Sequence, residues 1–344
     1  MKSNIAVINA SVGKRDLNSK YSIGLHKICG KTILDYQIDN LKAEEFQEII
    51  IAIHENDLDL VKYCENKSIP KIIYQSYENE INDFIQNSKD VPADANVIFY
   101  KLSFPLTSTE DYEINNRIDL AKCEKEMRKV INEKLMMTGV GFINPKEAYI
   151  DISVRIGRDT IVYPGAIILG ETIIGEDCII GQNTRIENSI IGDRVEITSS
   201  VLVESKIDDD TKIGPFAYLR PNSNIGKHVK IGDFVEVKNS KIDDNSKVSH
   251  LAYVGDADVG KGVNIGCGVV FVNYDGKNKF RSIVRDGAFI GSNSNVVAPV
   301  DIAERAYIAA GTTVCRDVPP GALCLGRVKE KHIEGWVDRK KLLK

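Results

Sequence analysis

The stretch IGKHVKIGDFVEVKNSKI, residues 225–242, decides the fold because aliphatic residues recur in it at a short, regular interval. Ile225, Ile231, Val237 and Ile242 mark the interval, and glycine follows the first two. A period of about six residues is too short for a helical hairpin repeat and too regular for a sandwich. It predicts a solenoid in which each short strand points one aliphatic side chain inward and then turns a corner where glycine tolerates the backbone conformation.

The same period extends over residues 156–291, mostly as an aliphatic residue followed by glycine. Three such strands per coil would form a triangular prism in which the inward side chains stack as ladders. Each fully buried aliphatic side chain contributes roughly 1.5–3 kcal/mol of transfer free energy. The repeat alone fits a scaffold as well as an acyltransferase, so function has to be read from the residues that interrupt it.

A different pattern occupies the first part of the chain. Continuous apolar runs, typical of strands buried in a parallel sheet, lie at residues 5–8, 48–53, 71–74 and 97–100. Residues 32–41 place apolar side chains at helical spacing between the first two runs. The pattern predicts a small α/β domain.

One long helix is predicted for residues 117–137, where charged residues separate the apolar ones and no Gly or Pro occurs. Its position between the two patterns suggests a connector. The predicted fold is α/β plus β, with an α/β domain at 1–110, a connector helix region at 111–147, a β-helix at 148–316 and a C-terminal arm at 317–344.

The composition of the 344 residues excludes several classes of protein. Hydrophobic residues at 43% and charged residues at 27% are ordinary for a soluble globular protein. A formal net charge of -4 supplies no basic field for nucleic acid. No apolar run reaches membrane-spanning length and no signal peptide is recognised, so we expect a cytoplasmic protein without a membrane partner. The seven cysteines form no CxxC pair, which predicts reduced thiols and no zinc site.

A nearly continuous series of motifs lies within residues 214–336: GPFAYLRPNSNIG, GDFVEVKNSKI, SHLAYVGDADVGKGVNIGCG, NYDGKNKF, FIGSNSNVVAPV, AAGTTVCRDVPPGAL and GRVKEKHIEGW. This segment resembles the acetyltransferase half of the bacterial bifunctional glucosamine-1-phosphate acetyltransferase / N-acetylglucosamine-1-phosphate uridyltransferase family. The resemblance implies a left-handed parallel β-helix that moves the acetyl group of acetyl-CoA, as co-substrate, onto the 2-amine of glucosamine 1-phosphate without a metal. The product would feed UDP-N-acetylglucosamine and peptidoglycan of the cell wall.

Amide formation requires a neutral amine, a general base, and donors for the oxyanion that forms on the thioester carbonyl. The resemblance makes His250 the catalytic base, Glu236 the carboxylate that supports it, and Asn273 a residue that orients the reacting groups. Without the surrounding motifs, His250 would read as a surface histidine at a corner, and the other two as solvated side chains. Asn273 opens a segment that breaks the hexads, which is where functional residues are often found.

A sugar phosphate requires cations and hydrogen-bond donors. Arginine can hold a phosphate through two parallel hydrogen bonds, whereas lysine acts as a point charge. Any one of these cations could simply be solvated. By resemblance the substrate-binding residues are Arg220, Lys238, Tyr253, Asn264 and Lys279.

The positions matched to acetyl-CoA binding are Cys267, Ser292, Ala310 and Arg327. Cys267 stands where the family usually carries a smaller residue. A covalent cysteine mechanism is the alternative, but direct attack by the amine does not need one. The arm after Asp317 resembles a segment that reaches a neighbouring subunit, which implies a homotrimer with sites shared between subunits.

The N-terminal part resembles a truncated, Rossmann-like nucleotidyltransferase domain that has lost its chemistry. Ser11 replaces a glycine of the nucleotide loop, and Ile23 replaces the catalytic lysine. Residues 99–106 lack the Gly-Asp that would hold magnesium. Asn115 matches a metal-ligand position but alone reads as a helix cap or loop residue. We therefore expect no uridyltransferase activity, with weak residual activity or a non-catalytic assembly or regulatory role as alternatives.

Overall fold

The computed structural model describes residues 4–10, 17, 19, 21–44, 46, 48–74, 95–107 and 110–340. The chain divides into two compact units. The N-terminal unit comprises residues 1–155 and 164–171, and the C-terminal unit comprises residues 156–163 and 172–344.

The N-terminal unit begins with a small α/β fold. Its elements are β1 (Asn4–Asn9), β2 (Lys27–Ile28), β3 (Lys31–Thr32), α1 (Ile33–Ala43), β4 (Glu48–His54), α2 (Leu58–Asn66), β5 (Lys71–Tyr74), β6 (Asn96–Lys101), β7 (Phe104–Thr107) and β8 (Glu110–Tyr112), with a short 3-10 turn at Ile23–Leu25. A parallel sheet has the strand order β5-β4-β1-β6. Successive side chains of β1 and β4 are buried on both faces, which explains their continuously apolar sequence. The predicted small α/β domain is confirmed.

The predicted connector helix is α3, Arg117–Met137. Asn116, rather than Asn115, caps it, because the Asn116 side-chain oxygen accepts hydrogen bonds from two backbone N–H groups of the first turn. Met127 and Ile131, about one turn apart, are buried. The unit continues through the strands Gly141–Phe142, Tyr149–Ile150 and Ile167–Leu169 and a 3-10 turn at Pro145–Glu147, and the strand Arg155–Ile156 spans the boundary between units.

The C-terminal unit is a parallel β-solenoid with three faces, A, B and C. Face A consists of Arg185–Glu187, Val201–Val203, Tyr218–Leu219, Glu236–Lys238, Tyr253–Gly255, Val270–Val272, Asn295–Val297 and Thr313–Val314. Face B consists of Ile173–Ile174, Ile190–Ile191, Ser205–Ile207, Ser223–Ile225, Lys241–Ile242, Ala257–Val259, Ser282–Val284 and Asp301–Ile302. Face C consists of Ile161–Val162, Ile179–Ile180, Glu196–Ile197, Lys212–Ile213, Lys230–Asp233, Lys247–His250, Asn264–Ile265, Phe289–Ile290, Tyr307–Ile308 and Leu323–Cys324.

Inward aliphatic side chains stack as ladders along the prism. On face C, Ile213 pairs with Ile231, eighteen residues later, and Ile231 pairs with Val248, seventeen residues later. All three are almost completely buried. The predicted fold class, an α/β region followed by a left-handed parallel β-helix of hexapeptide repeats, is therefore confirmed.

The reason for the repeated glycines differs from the one predicted. Gly232 does not adopt the left-handed conformation, and a Cβ at this position would collide with the carbonyl oxygen of Ser249 in the next coil. The left-handed residue comes two positions later, where Phe234 has a φ of 55°. Glycine is required at position 232 because two backbones approach closely there. The left-handed conformation that turns the chain is adopted by Phe234 instead.

One coil is interrupted between faces A and B. Ala257 pairs with Ser282, twenty-five residues later, instead of the usual seventeen or eighteen. The extra residues leave the prism after Val272 and form a small turn in which Tyr274 and Lys279 make an antiparallel bridge.

After the last strand the chain continues to a short helix, α4 (Trp336–Lys340), through exposed residues. Among the described residues, no helix combines the length and the apolar character needed to cross a membrane.

Candidate active site

One edge of the prism, here called the CA edge, lies where each face C strand gives way to face A. Its corner position, two residues after the inward aliphatic side chain, is occupied in successive coils by Asp233, His250, Cys267, Ser292 and Ala310. Backbone hydrogen bonds join these corners from coil to coil, as between the Cys267 carbonyl and the next coil at 2.8 Å. His250 and the positions matched to acetyl-CoA binding therefore share one edge of one chain.

Arg327 reaches the same edge from the segment after the last strand. Its Nη1 donates a hydrogen bond to the backbone carbonyl of Ala310 at 2.8 Å. The guanidinium is otherwise exposed, so it remains available to a negatively charged group lying along this edge.

His250 has a carboxylate partner that the sequence did not predict. Its Nδ1 lies 2.5 Å from Oδ1 of Asp233, the residue directly beside it in the preceding coil. The hydrogen bond with His250 holds the pKa of the Asp233 carboxyl below its usual value. The His250 side chain remains 55% exposed, which leaves its ring open to a substrate.

Glu236, predicted to support His250, has a different partner within the chain. Its Oε1 accepts a hydrogen bond from Nη1 of Arg220 at 2.9 Å. Asp233 and not Glu236 therefore contacts the histidine in this structure. The period could have revealed Asp233, because it precedes His250 by seventeen residues, the length of one coil.

The second edge, here called the AB edge, follows the face A strands and carries a cluster of cations. Lys238 ends one strand, and its Nζ lies 3.8 Å from Oδ2 of Asp256. Lys279 lies in the inserted turn, and its neighbour Lys238 lowers the pKa of the Lys279 ammonium, because Lys238 can donate a hydrogen bond only to the neutral Lys279 amine and its charge repels the protonated form. Arg220 directly follows the face A strand of the preceding coil, Tyr218–Leu219, and its guanidinium pairs with Glu236.

Asp256 is the buried centre of this edge, and the sequence did not identify it. Burial opposes its ionisation, but hydrogen bonds from Asn239 and Asn273 and the charges of Lys238 and Lys279 hold its pKa below the usual value. Because Asp256 is only 6% exposed, its carboxylate interacts mainly with these neighbouring side chains and fixes their orientation.

Asn273 and Tyr253 also belong to the AB edge. Asn273 Nδ2 donates to Asp256 Oδ2 at 2.5 Å and lies 3.4 Å from the Tyr253 hydroxyl. The Tyr253 ring lies over Gly255, where an added Cβ would collide with it. Gly255 therefore makes room for the ring, and Asn273 is held in one orientation while it is 8% exposed.

Asn264 is the predicted substrate residue that the structure does not bring to this cluster within one chain. It lies on face C, in register with Lys247 and Phe289. The remaining predicted residues fall into two groups, one on the CA edge and one on or beside the AB edge. Within the described part of the chain, no three His, Cys, Asp or Glu side chains are grouped so that they could hold a metal ion.

For the acetyl transfer that the family resemblance implies, replacing Cys267 with serine is expected to change kcat/KM by less than about twofold, because direct attack by an amine would use no thiol and the substitution is small. The measurement is the initial rate of CoA release, with Cys315→Ser, at an exposed cysteine, as the matched control. An acetylated Cys267 seen by mass spectrometry, together with loss of activity, would contradict direct attack.

The fold belongs to the class of hexapeptide-repeat transferases, because residues 153–188 and 204–239 match the family model of the bacterial transferase hexapeptide (six repeats). The bifunctional protein GlmU of Alkaliphilus oremlandii (strain OhILAs) is 50% identical over 317 residues, covering 90% of this chain and 68% of the relative. The protein of the same name from Alkaliphilus metalliredigens (strain QYMF) is 48% identical over 316 residues, covering 90% and 66%. That of Clostridioides difficile (strain 630) is 58% identical over 227 residues, covering 66% and 50%.

The chain therefore belongs to the bifunctional GlmU family. It spans about half to two thirds of the length of these curated relatives.

Proposed function

We propose that this protein transfers the acetyl group of acetyl-CoA to the 2-amine of glucosamine 1-phosphate, producing N-acetylglucosamine 1-phosphate for UDP-N-acetylglucosamine synthesis. The observation that carries the proposal is the CA edge, where the exposed ring of His250 lies in line with Cys267, Ser292 and Ala310. A long, narrow thioester substrate laid along such an edge would present its carbonyl to the imidazole.

In the proposed reaction the amine nitrogen bonds to the thioester carbon while His250 Nε2 accepts the amine proton. The tetrahedral intermediate collapses as the C–S bond breaks. The imidazolium then returns its proton to the departing sulfur, so that CoA leaves as a thiol. No metal takes part, and we expect the rate to be unchanged by EDTA.

The AB edge supports a phosphate-bearing acceptor. Lys238 lowers the pKa of the Lys279 ammonium, so two like charges that repel each other are neighbours on this edge. A bound phosphate would relieve that repulsion. Arg220 adds a planar donor whose partner, Glu236, is a partly exposed carboxylate that a phosphate dianion could displace.

We also propose a homotrimer with sites shared between subunits, because an apolar ridge runs beside His250. Phe216 and Phe234 stack at 5.5 Å between ring centroids, and each is 58% exposed. Leu251 continues the ridge, and all three hold left-handed backbone conformations that bulky residues rarely adopt. A row of exposed apolar side chains on strained backbone is typical of a surface that another subunit covers.

Replacing Phe234 with aspartate is expected to convert the trimer to monomers, because a charge would have to be desolvated against the apolar ridge of the neighbour. Light scattering coupled to gel filtration measures the mass. Leu58→Asp is the matched control, because it makes the same apolar-to-aspartate change at an exposed residue of the N-terminal unit, and it should leave the mass unchanged. A wild-type protein that is monomeric at all concentrations would refute the shared site.

We propose further that uridyltransferase activity is lost. Ile23, at the position matched to a catalytic lysine, is buried in the turn Ile23–Leu25 and offers no charge. Leu102 and Ser103 follow β6 where the Gly-Asp would lie. Ser11 lies outside the described residues.

Two assays on the purified full chain separate the candidate functions. Thiol release from acetyl-CoA with glucosamine 1-phosphate tests acetyl transfer, with glucosamine 6-phosphate and glucosamine as comparison acceptors. Pyrophosphate release from UTP with N-acetylglucosamine 1-phosphate and magnesium tests the second activity. Acetyl transfer alone is the expected result. Activity in both assays would support a bifunctional enzyme. No activity in either assay would favour a non-catalytic assembly partner.

A further inference from the structure

Asp233 and His250 form a pair that is built by the backbone. They occupy the same corner in adjacent coils and are direct partners in the parallel ladder of face C. The backbone N–H of the next residue, Leu251, donates to the Asp233 carbonyl at 2.9 Å, which locks the two corners together. The stacked coils therefore place the two side chains next to each other, and in that position their Nδ1 and Oδ1 atoms lie 2.5 Å apart.

The direction of this hydrogen bond decides which ring nitrogen is free. An ionised carboxylate can only accept, so the proton of the neutral imidazole must lie on Nδ1. The pKa of the Asp233 carboxyl lies below its usual value, consistent with an ionised acceptor at neutral pH. Nε2 then carries a lone pair and, because the other nitrogen is held, points away from Asp233.

The solenoid contains a second histidine beside an aspartate, which shows that such proximity alone does not produce a hydrogen bond. Nε2 of His228 lies 3.9 Å from Oδ2 of Asp210, and that carboxylate instead binds Arg194 through both oxygens. At the CA edge, by contrast, no described arginine or lysine makes an ion pair with Asp233, so its carboxylate is committed to His250.

We infer that Asp233 is a positioning residue, which fixes the Nδ1–H tautomer of His250 and aims Nε2 at the acceptor amine. This role rests on the proposed acetyl transfer and assigns to Asp233 the support that the family resemblance placed on Glu236. As proton transfer proceeds, the same carboxylate faces the imidazolium that forms and stabilises it. Asp233 does not itself touch the substrates.

The test combines kinetics with a direct view of the ring. Asp233→Ala and Asp233→Asn are each expected to lower kcat by about 10- to 100-fold, a fraction of what a general base contributes. KM for acetyl-CoA and for glucosamine 1-phosphate should change by less than about threefold, because Asp233 contacts neither substrate. Asp210→Asn makes the same chemical change beside His228 and is expected to leave kcat unchanged.

The tautomer is read from ¹⁵N–¹H long-range correlation spectra of histidine-labelled protein, with His250→Gln assigning the signal among the five histidines. The wild-type ring should carry its proton on Nδ1, and Asp233→Ala should shift population to the Nε2–H form. A purely structural role would lower thermal stability without changing the tautomer, and that result would overturn the inference. So would unchanged kcat in both Asp233 variants.

The two ideas can fail separately. If wild-type protein does not acetylate glucosamine 1-phosphate, the proposed function fails, yet the spectra still report whether Asp233 controls the ring. A wild-type ring protonated on Nε2 would overturn the inference even in a fully active enzyme.

Discussion

Replacing His250 with alanine is expected to lower kcat/KM for acetyl transfer by about 10²- to 10⁴-fold, the usual contribution of a positioned general base. The physical reason is that the attacking amine must lose a proton as the C–N bond forms, and no other described side chain on the CA edge combines exposure with a basic nitrogen at that corner. Stability should be little affected, because the His250 side chain is more than half exposed.

The measurement is the initial rate of CoA release at saturating and subsaturating acceptor. His228→Ala is a matched control, since His228 also lies at an exposed corner of the solenoid next to an aspartate. Full activity in His250→Ala would remove the mechanism while leaving the substrate assignment open to the acceptor comparison.

Replacing Arg220 with methionine is expected to raise KM for glucosamine 1-phosphate by about 10- to 100-fold, which corresponds to the roughly 1.5–3 kcal/mol of a hydrogen bond to a charged group. The variant removes a bidentate donor and leaves Glu236 without the cation that now neutralises it. An uncompensated carboxylate would then repel the phosphate. Arg220→Lys should recover only part of the loss, because lysine cannot make two parallel hydrogen bonds.

Comparing acceptors makes this test specific for the phosphate. With glucosamine, which lacks the phosphate, Arg220→Met and wild type should have similar kcat/KM. Arg194→Met removes a different arginine–carboxylate pair of the solenoid, Arg194–Asp210, and should leave KM for either acceptor unchanged. Equal losses with glucosamine and glucosamine 1-phosphate would show that Arg220 acts on the fold and not on the phosphate.

The core of the solenoid could be predicted from particular residues. Ile213, Ile231 and Val248 were recognisable by their period, and each is an inward step of one ladder. Burial of an aliphatic side chain is a local requirement that every coil must satisfy, so it leaves a periodic trace in the sequence. The inserted turn at Asn273 was visible for the same reason, as a break in that trace.

The sequence by itself thus determined the architecture, the inward ladders and, by family resemblance, the candidate residues of the site. Only the tertiary structure decided which of them meet. A coil takes seventeen or eighteen residues, and a difference of one residue moves a side chain from one position of the corner to the next. Contacts between coils, such as Asp233 with His250 and Asp256 with Asn273, depend on that register, because polar side chains at corners pair with whichever neighbour the stacked backbone places beside them.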